Sequence, residues 1–252
     1  MRLLATIILL SSSAAWAKSP ATLEDLQALS QQKAYAELLE RAEDIAPAAR
    51  TDAWQGLVAS AAVGVVTTTP LAKDPFGEVG KADALLARFA FLDKRAAFSA
   101  ARDEAVLKGL KRCVDANNEA CIEHFVPYEP SLGATASLKA GKMLRHYGAV
   151  PYRSMLLFAK AAAGKDGGAC KDPDVSDAVI AALDLPPDHR SAKAAQQVAF
   201  ESCWPALQAK LKSTMVSASA SRLQNSCVGM RAKKALTPLQ EDLCKDEEQN
   251  NR

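Results

Sequence analysis

The side chains of this 252-residue chain with most capacity for chemistry are six cysteines, at positions 113, 121, 170, 203, 227 and 244, and three histidines, His124, His146 and His189. No two cysteines stand in a C-x-x-C or C-x-x-C-H spacing, the arrangements that bring zinc ligands, a redox couple or haem-attaching thiols within one turn of each other. An even number of cysteines without those spacings, in a chain read below as exported, points to structural disulfides. Cys113 and Cys121 flank the short stretch VDANNEA, so they can meet across a helix-helix turn. Cys170 precedes one expected helix and Cys203 ends the next, and the start of one antiparallel helix lies beside the end of its partner. Cys227 and Cys244 remain as the third pair.

The histidines offer less. Glu123 and His124 are adjacent, which sends them to diverging helix faces, whereas a shared metal would want histidines four apart around a glutamate. No G-x-S-x-G, phosphate-binding loop or G-x-G-x-x-G occurs, and the glycines at 164–168 lack the preceding strand and following Lys-Ser/Thr that phosphate cradling needs. No catalytic, cofactor-binding or metal-ligating residue is therefore assigned, and no cofactor is expected. The densest recognition chemistry is RHYGAVPYRS at 145–154, where Arg145, His146, Tyr147, Tyr152 and Arg153 gather around Gly148 and Pro151. Tyr and Arg combine contact area with directed hydrogen bonds, which makes these five the candidate interaction residues. The reading favoured over that one is that the tyrosines pack at helix ends and the arginines lie along the surface. The basic runs KLKSTM at 210 and RAKK at 231 read as solvated helix faces.

The elements that must position these groups are helical. Leu23, Leu26 and Leu29 line one helix face, Tyr35, Leu38, Leu39, Ala42 and Ile45 a second, and Trp54, Leu57, Val58 and Ala61 a third. Thr22 with Asp25 three residues on is a capping signature, and Pro47 is expected to end the second helix. YAELLERAEDIAP followed by RTDAW resembles a tetratricopeptide-type helical hairpin over residues 21–57; the resemblance implies helix-turn-helix packing and a concave protein-binding face. Two prolines, two glycines and three consecutive threonines mark 67–81 as a linker or surface loop. Ala84, Leu85, Phe89 and Leu92 suggest one further helix, and Phe98, Ala101, Val106, Leu110 and Val114 another. Helices are expected at 131–146 and 151–163, then a glycine-rich loop with Asp172 as N-cap and Pro173 at the first helical position. A hairpin over 175–203, a long helix to about 226 and a short capped helix toward Cys244 complete the reading. DALLARFAFLDKR at 83 and DAVIAALDLPPDHR at 177 suggest a faint internal repeat.

Arg2, the apolar run Leu3 to Leu10 and the small-residue pattern Ala15-Trp16-Ala17 read as a signal peptide cleaved after Ala17. The apolar run is far short of the roughly 20 residues that a bilayer span needs, and no lipoprotein cysteine follows it. A formal charge of +2 supplies no overall attraction to nucleic acid or an anionic membrane. The alanine-rich, aromatic-poor composition favours helices over strands. The expected organisation is a signal peptide (1–17), tetratricopeptide-like helices (18–66), the linker or loop (67–81), a cysteine-containing helical region (82–244) and a flexible tail (245–252). The expected fold is all-α, an irregular solenoid-like array of hairpins stapled by disulfides. The expected function is a periplasmic or secreted interaction or scaffold module with an envelope protein as partner and no catalysis. The rivals are a carrier holding a small apolar ligand between helices and an exported enzyme whose site is assembled from distant residues.

Overall fold

In the computed structural model the periodic apolar residues build helices, and every regular element among the described residues is helical. The structure describes residues 21–68, 74–147, 151–164, 168–183, 190–197 and Cys203. The expected leader at 1–17, the pair Cys227 and Cys244, His189, the basic runs at 210 and 231 and the tail at 245–252 lie outside them. The chain divides into two compact units, Met1–Val65 and Val66–Arg252, each taken here by itself.

In the first unit, α1 (Leu23–Gln31) opens with a complete capping box. The Asp25 N–H donates to Thr22 Oγ1 at 3.2 Å and the Thr22 N–H donates back to Asp25 Oδ2 at 2.9 Å. The bond from the Thr22 N–H, followed by the Thr22 hydroxyl beside the carboxylate, holds the Asp25 carboxyl below its ordinary pKa. Lys33, at φ 58°, turns the chain into α2 (Tyr35–Arg41). This helix is shorter than its apolar pattern suggested: it tightens into a 3-10 turn at Ala42–Asp44, and Pro47 opens a second 3-10 turn, Pro47–Ala49, instead of closing the helix itself. Buried Leu26, Leu38, Leu39, Ala42 and Ile45 form the core. Trp54 of α3 (Asp52–Thr68) is locked to it by donating Nε1–H to the Ala42 carbonyl at 3.0 Å. Farther along α3, Gly64 lets the Tyr35 ring lie against the helix backbone; a Cβ there would meet the ring at less than 3.0 Å.

The second unit is larger. α4 (Gly77–Arg88) begins inside the stretch read as a loop, so the irregular connection is shorter than composition implied. A 3-10 turn, Ala90–Lys94, leads into α5 (Ala96–Asp115), which buries Phe98, Ala101, Val106 and Leu110 at the expected spacing. Asn117, at φ 50°, reverses the chain, and Asn118 caps the five-residue α6 (Glu119–Glu123) by accepting the Cys121 N–H at 3.0 Å. A 3-10 segment, Val126–Ser131, then crosses to α7 (Ala134–Tyr147) and α8 (Pro151–Ala162). These two are antiparallel, with Gly141 set against Leu157 and Phe158. The stretch read as a glycine-rich loop contains a single turn of helix, α9 (Gly168–Lys171). Asp172 caps α10 (Pro173–Leu183) by accepting the Asp174 N–H at 2.9 Å. α10 and α11 (Arg190–Gln197) pack as a hairpin beside α8. Met155, Phe158, Val175, Val179, Ala194 and Ala195 form one buried cluster beneath them.

Two cysteine pairs are joined as the hairpin geometry suggested. Cys113 and Cys121 close the α5–α6 corner with Cα atoms 5.3 Å apart, and Cys170 and Cys203 staple the α10–α11 hairpin at 5.0 Å. Among the described residues no helix is long and apolar enough to cross a membrane.

Candidate functional site

The polar side chains of the second unit collect where α4, α5, the 126–131 segment, α7 and α8 converge. At its centre Arg102 of α5 donates Nε–H to Asp83 Oδ1 of α4 at 3.0 Å and Nη1–H to Ser131 Oγ at 3.2 Å. The Ser131 hydroxyl donates to the Tyr128 carbonyl at 2.8 Å, and the Tyr128 hydroxyl donates to Asp83 Oδ2 at 2.8 Å. The guanidinium also lies 5.5 Å from the centre of the Tyr128 ring. Burial and the bond to Asp83 push the Tyr128 phenol above its ordinary pKa, so it remains a proton donor.

The neighbouring Asp103 accepts the Gly133 N–H at 2.9 Å, just before the first residue of α7. A carboxylate at a helix N-terminus satisfies an orphan amide and opposes the helix dipole. Burial nevertheless raises its pKa, with the Gly133 bond, Arg102 and Lys160 opposing the rise. Lys160 donates to the carbonyls of Glu129 and Pro130, and burial holds its ammonium below the ordinary lysine value. A cleft of about 60 Å³, lined by Asp93, Phe98, Ser99, Arg102, Asp103 and Ser131, opens at this junction. Ligand pockets run to roughly 300–1,000 Å³, whereas a water needs about 10–15 Å³. The cleft thus has room for a few waters. Of the two Asp103 carboxylate oxygens, Oδ2 serves the Gly133 amide.

The five candidate interaction residues occupy the α7–α8 corner, whose connecting residues 148–150 fall outside the description. Arg145 donates to the Asp174 carbonyl, with Asp174 Oδ1 at 3.8 Å. Arg153 donates Nε–H to Glu129 Oε1 at 2.8 Å and Nη1–H to Glu123 Oε1 at 2.6 Å, and its side chain is only 12% exposed. Tyr152 packs partly against the C-terminal core and under Arg190, whose guanidinium is 6.0 Å from the ring centre. His146 is exposed and Tyr147 half-exposed. At this corner the arginines join elements of the fold instead of lying along the surface, while His146 is exposed and both tyrosines are partly exposed.

Beside it, Lys142 bridges Asp172 and Asp174 at 2.9 and 3.0 Å. Burial alone would raise the Asp172 pKa, but the Lys142 ammonium and the Asp174 N–H carry it below the ordinary value, and the bonds that Lys142 donates to both carboxylates raise its own. His124 is separate, its ring tilted 45° against Phe76 with centroids 3.9 Å apart. No group of three or more His, Cys, Asp or Glu side chains suited to a metal occurs among the described residues. Sequence reasoning passed over Asp83, Arg102, Asp103, Tyr128, Glu129 and Lys160, whose partners lie 19 to 45 positions away. The available signal was a tyrosine between two prolines, Pro127-Tyr128-Glu129-Pro130, which marks a segment needing external anchors. No family model matches the chain, and no curated protein or solved structure matches it with significance.

Proposed function

We propose that the chain is an exported helical scaffold, an interaction module of the cell envelope without chemistry of its own, that offers the α7–α8 corner to a protein partner. The observation that carries this reading is the division of labour at the corner. Arg145 and Arg153 are tied to Asp174, Glu123 and Glu129, which leaves His146 and the outer edges of Tyr147 and Tyr152 on an immobilised frame. A recognition surface ordered before binding loses less side-chain and loop entropy on association, and tyrosine contributes area through few rotatable bonds. The Cys170–Cys203 staple adds to the rigidity of the same hairpin layer. Export is supported by the leader pattern at 1–17 together with two joined cysteine pairs. The hairpin formed by α1 and α2, with α3 opening after it, belongs to the same proposal as a tetratricopeptide-like packing unit within a solenoid-like array.

The test is capture of a partner from the native envelope by the mature protein, compared with the His146→Ala/Tyr147→Ala double variant. A partner lost in the variant, at an unchanged melting temperature, supports the reading. Undiminished capture, or an exported protein whose intact mass still includes Met1, contradicts it.

A further inference from the structure

The two joined cysteine pairs differ in what surrounds them. Cys170 and Cys203 are 9% and 1% exposed and lie in the apolar cluster with Met155, Phe158, Val175 and Val179. Cys113 is as deeply buried, at 1%, but its partner Cys121 is partly exposed and residues 115–120 between them are all exposed. Cys121 is thus the more approachable residue of the pair, at the edge of an exposed helix-helix turn. We propose that Cys113–Cys121 is a redox-addressed clasp on the α5–α6 corner, opened by a dithiol reductant while Cys170–Cys203 stays closed.

The helix at this corner is too short to hold itself. α6 has five residues, well below the roughly 12–15 at which a helix persists unaided. Besides the disulfide it is fixed by the Asn118 cap and by Arg153, which reaches Glu123 Oε1 at 2.6 Å and the Ile122 carbonyl at 3.5 Å. Beneath it Ile122 and Phe125 are 0% and 1% exposed. In the exchange, a reductant thiolate attacks Cys121 Sγ and the S–S bond breaks. Cys113 Sγ leaves with the electron pair and takes up a proton. The reductant's second thiol then attacks the mixed disulfide, releasing Cys121 as a thiol and closing the reductant's own disulfide; two electrons pass to the protein. Opening the clasp lets α6 swing from α5, uncovers Ile122 and Phe125, and removes a fixed acceptor from Arg153 at the start of α8.

The test treats folded wild-type protein with dithiothreitol, traps thiols by alkylation and maps them by mass, while hydrogen exchange follows residues 119–125. The expected result is alkylation of Cys113 and Cys121 at least tenfold faster than of Cys170 and Cys203, with exchange protection at 119–125 lost in step. A Cys113→Ser/Cys121→Ser variant should show that lost protection without reductant and no further change with it. Equal or reversed order of reduction would overturn the proposal, as would rapid reduction with protection at 119–125 intact.

Discussion

Gly109 sits near the middle of α5, where helix propensity alone favours alanine over glycine by about 0.8–1.0 kcal/mol. The structure opposes that preference. A Cβ at position 109 would meet the Phe125 ring and the Pro75 carbonyl oxygen at less than 3.0 Å. The ring could shift only at the expense of its own packing, since Phe125 is 1% exposed, and the carbonyl belongs to backbone leading into α4. Overfilling a packed site costs about 1–3 kcal/mol, so Gly109→Ala should be destabilising by about 0–2 kcal/mol after the propensity gain is subtracted. Gly80 in α4 of the same unit has nothing within 4 Å of the Cβ position, and Gly80→Ala should be stabilising by up to about 1 kcal/mol. The two substitutions are chemically identical, and their difference, about 1–3 kcal/mol, isolates the close approach. Thermal unfolding followed by circular dichroism resolves it, because about 1 kcal/mol moves the midpoint by roughly 2–4 °C in a chain of this size. Equal shifts for the two variants would refute the placement of Phe125 and Pro75 on α5.

Three further outcomes follow from the same contacts. Arg153→Ala should cost about 2–3 kcal/mol, the range for charged hydrogen bonds left unpaired, because it strands Glu129, whose side chain is 14% exposed. Lys111→Ala, at an exposed pair with Asp115, should change stability by less than about 0.5 kcal/mol, and urea titration separates the two. The carboxyls respond to pH in opposite senses. Asp103 is raised, so its contribution is present in acid and lost as pH rises through its folded value. Asp172 is lowered, so its contribution is present above the ordinary aspartate value and lost as pH falls through its folded one. Stability against pH for Asp103→Asn and Asp172→Asn should flatten those two limbs respectively. Finally, loop-closure entropy assigns about 3.8 kcal/mol to a bridge of the Cys170–Cys203 separation and about 2.6 kcal/mol to one of the Cys113–Cys121 separation. The paired alanine variants should therefore melt in that order, with helical content outside the five-residue α6 retained at low temperature.

The helical class was legible because Leu26, Leu38, Leu39, Val58 and Leu110 recur at helical spacing and are all buried. The two cysteine pairings were legible for a related reason, since hairpin ends meet whatever the loop between them contains. Turns and glycines were harder. Gly77 and Gly80 made the start of α4 look like a linker, although α4 is helical from Gly77 onward, and the stretch around Gly168 looked like a loop although it forms α9. Nothing in the sequence around Gly109 identifies Phe125 as the ring placed against it. The polar junction was illegible because Arg102 finds Asp83 and Ser131 across separations of 19 and 29 residues, and tertiary packing alone decides those partners. For the same reason the sequence favoured Arg145 and Arg153 lying along the surface; their acceptors lie on α6, the 126–131 segment and α10.

The central claim, an outward-facing corner on an internally braced scaffold, is tested most directly by site-specific photo-cross-linking in the native envelope. A photoreactive residue at position 146 should give a discrete adduct with one protein partner, while the same residue at exposed position 104 on α5 gives none. Adducts of equal yield at both positions, or none at 146 in correctly processed protein, would contradict the account.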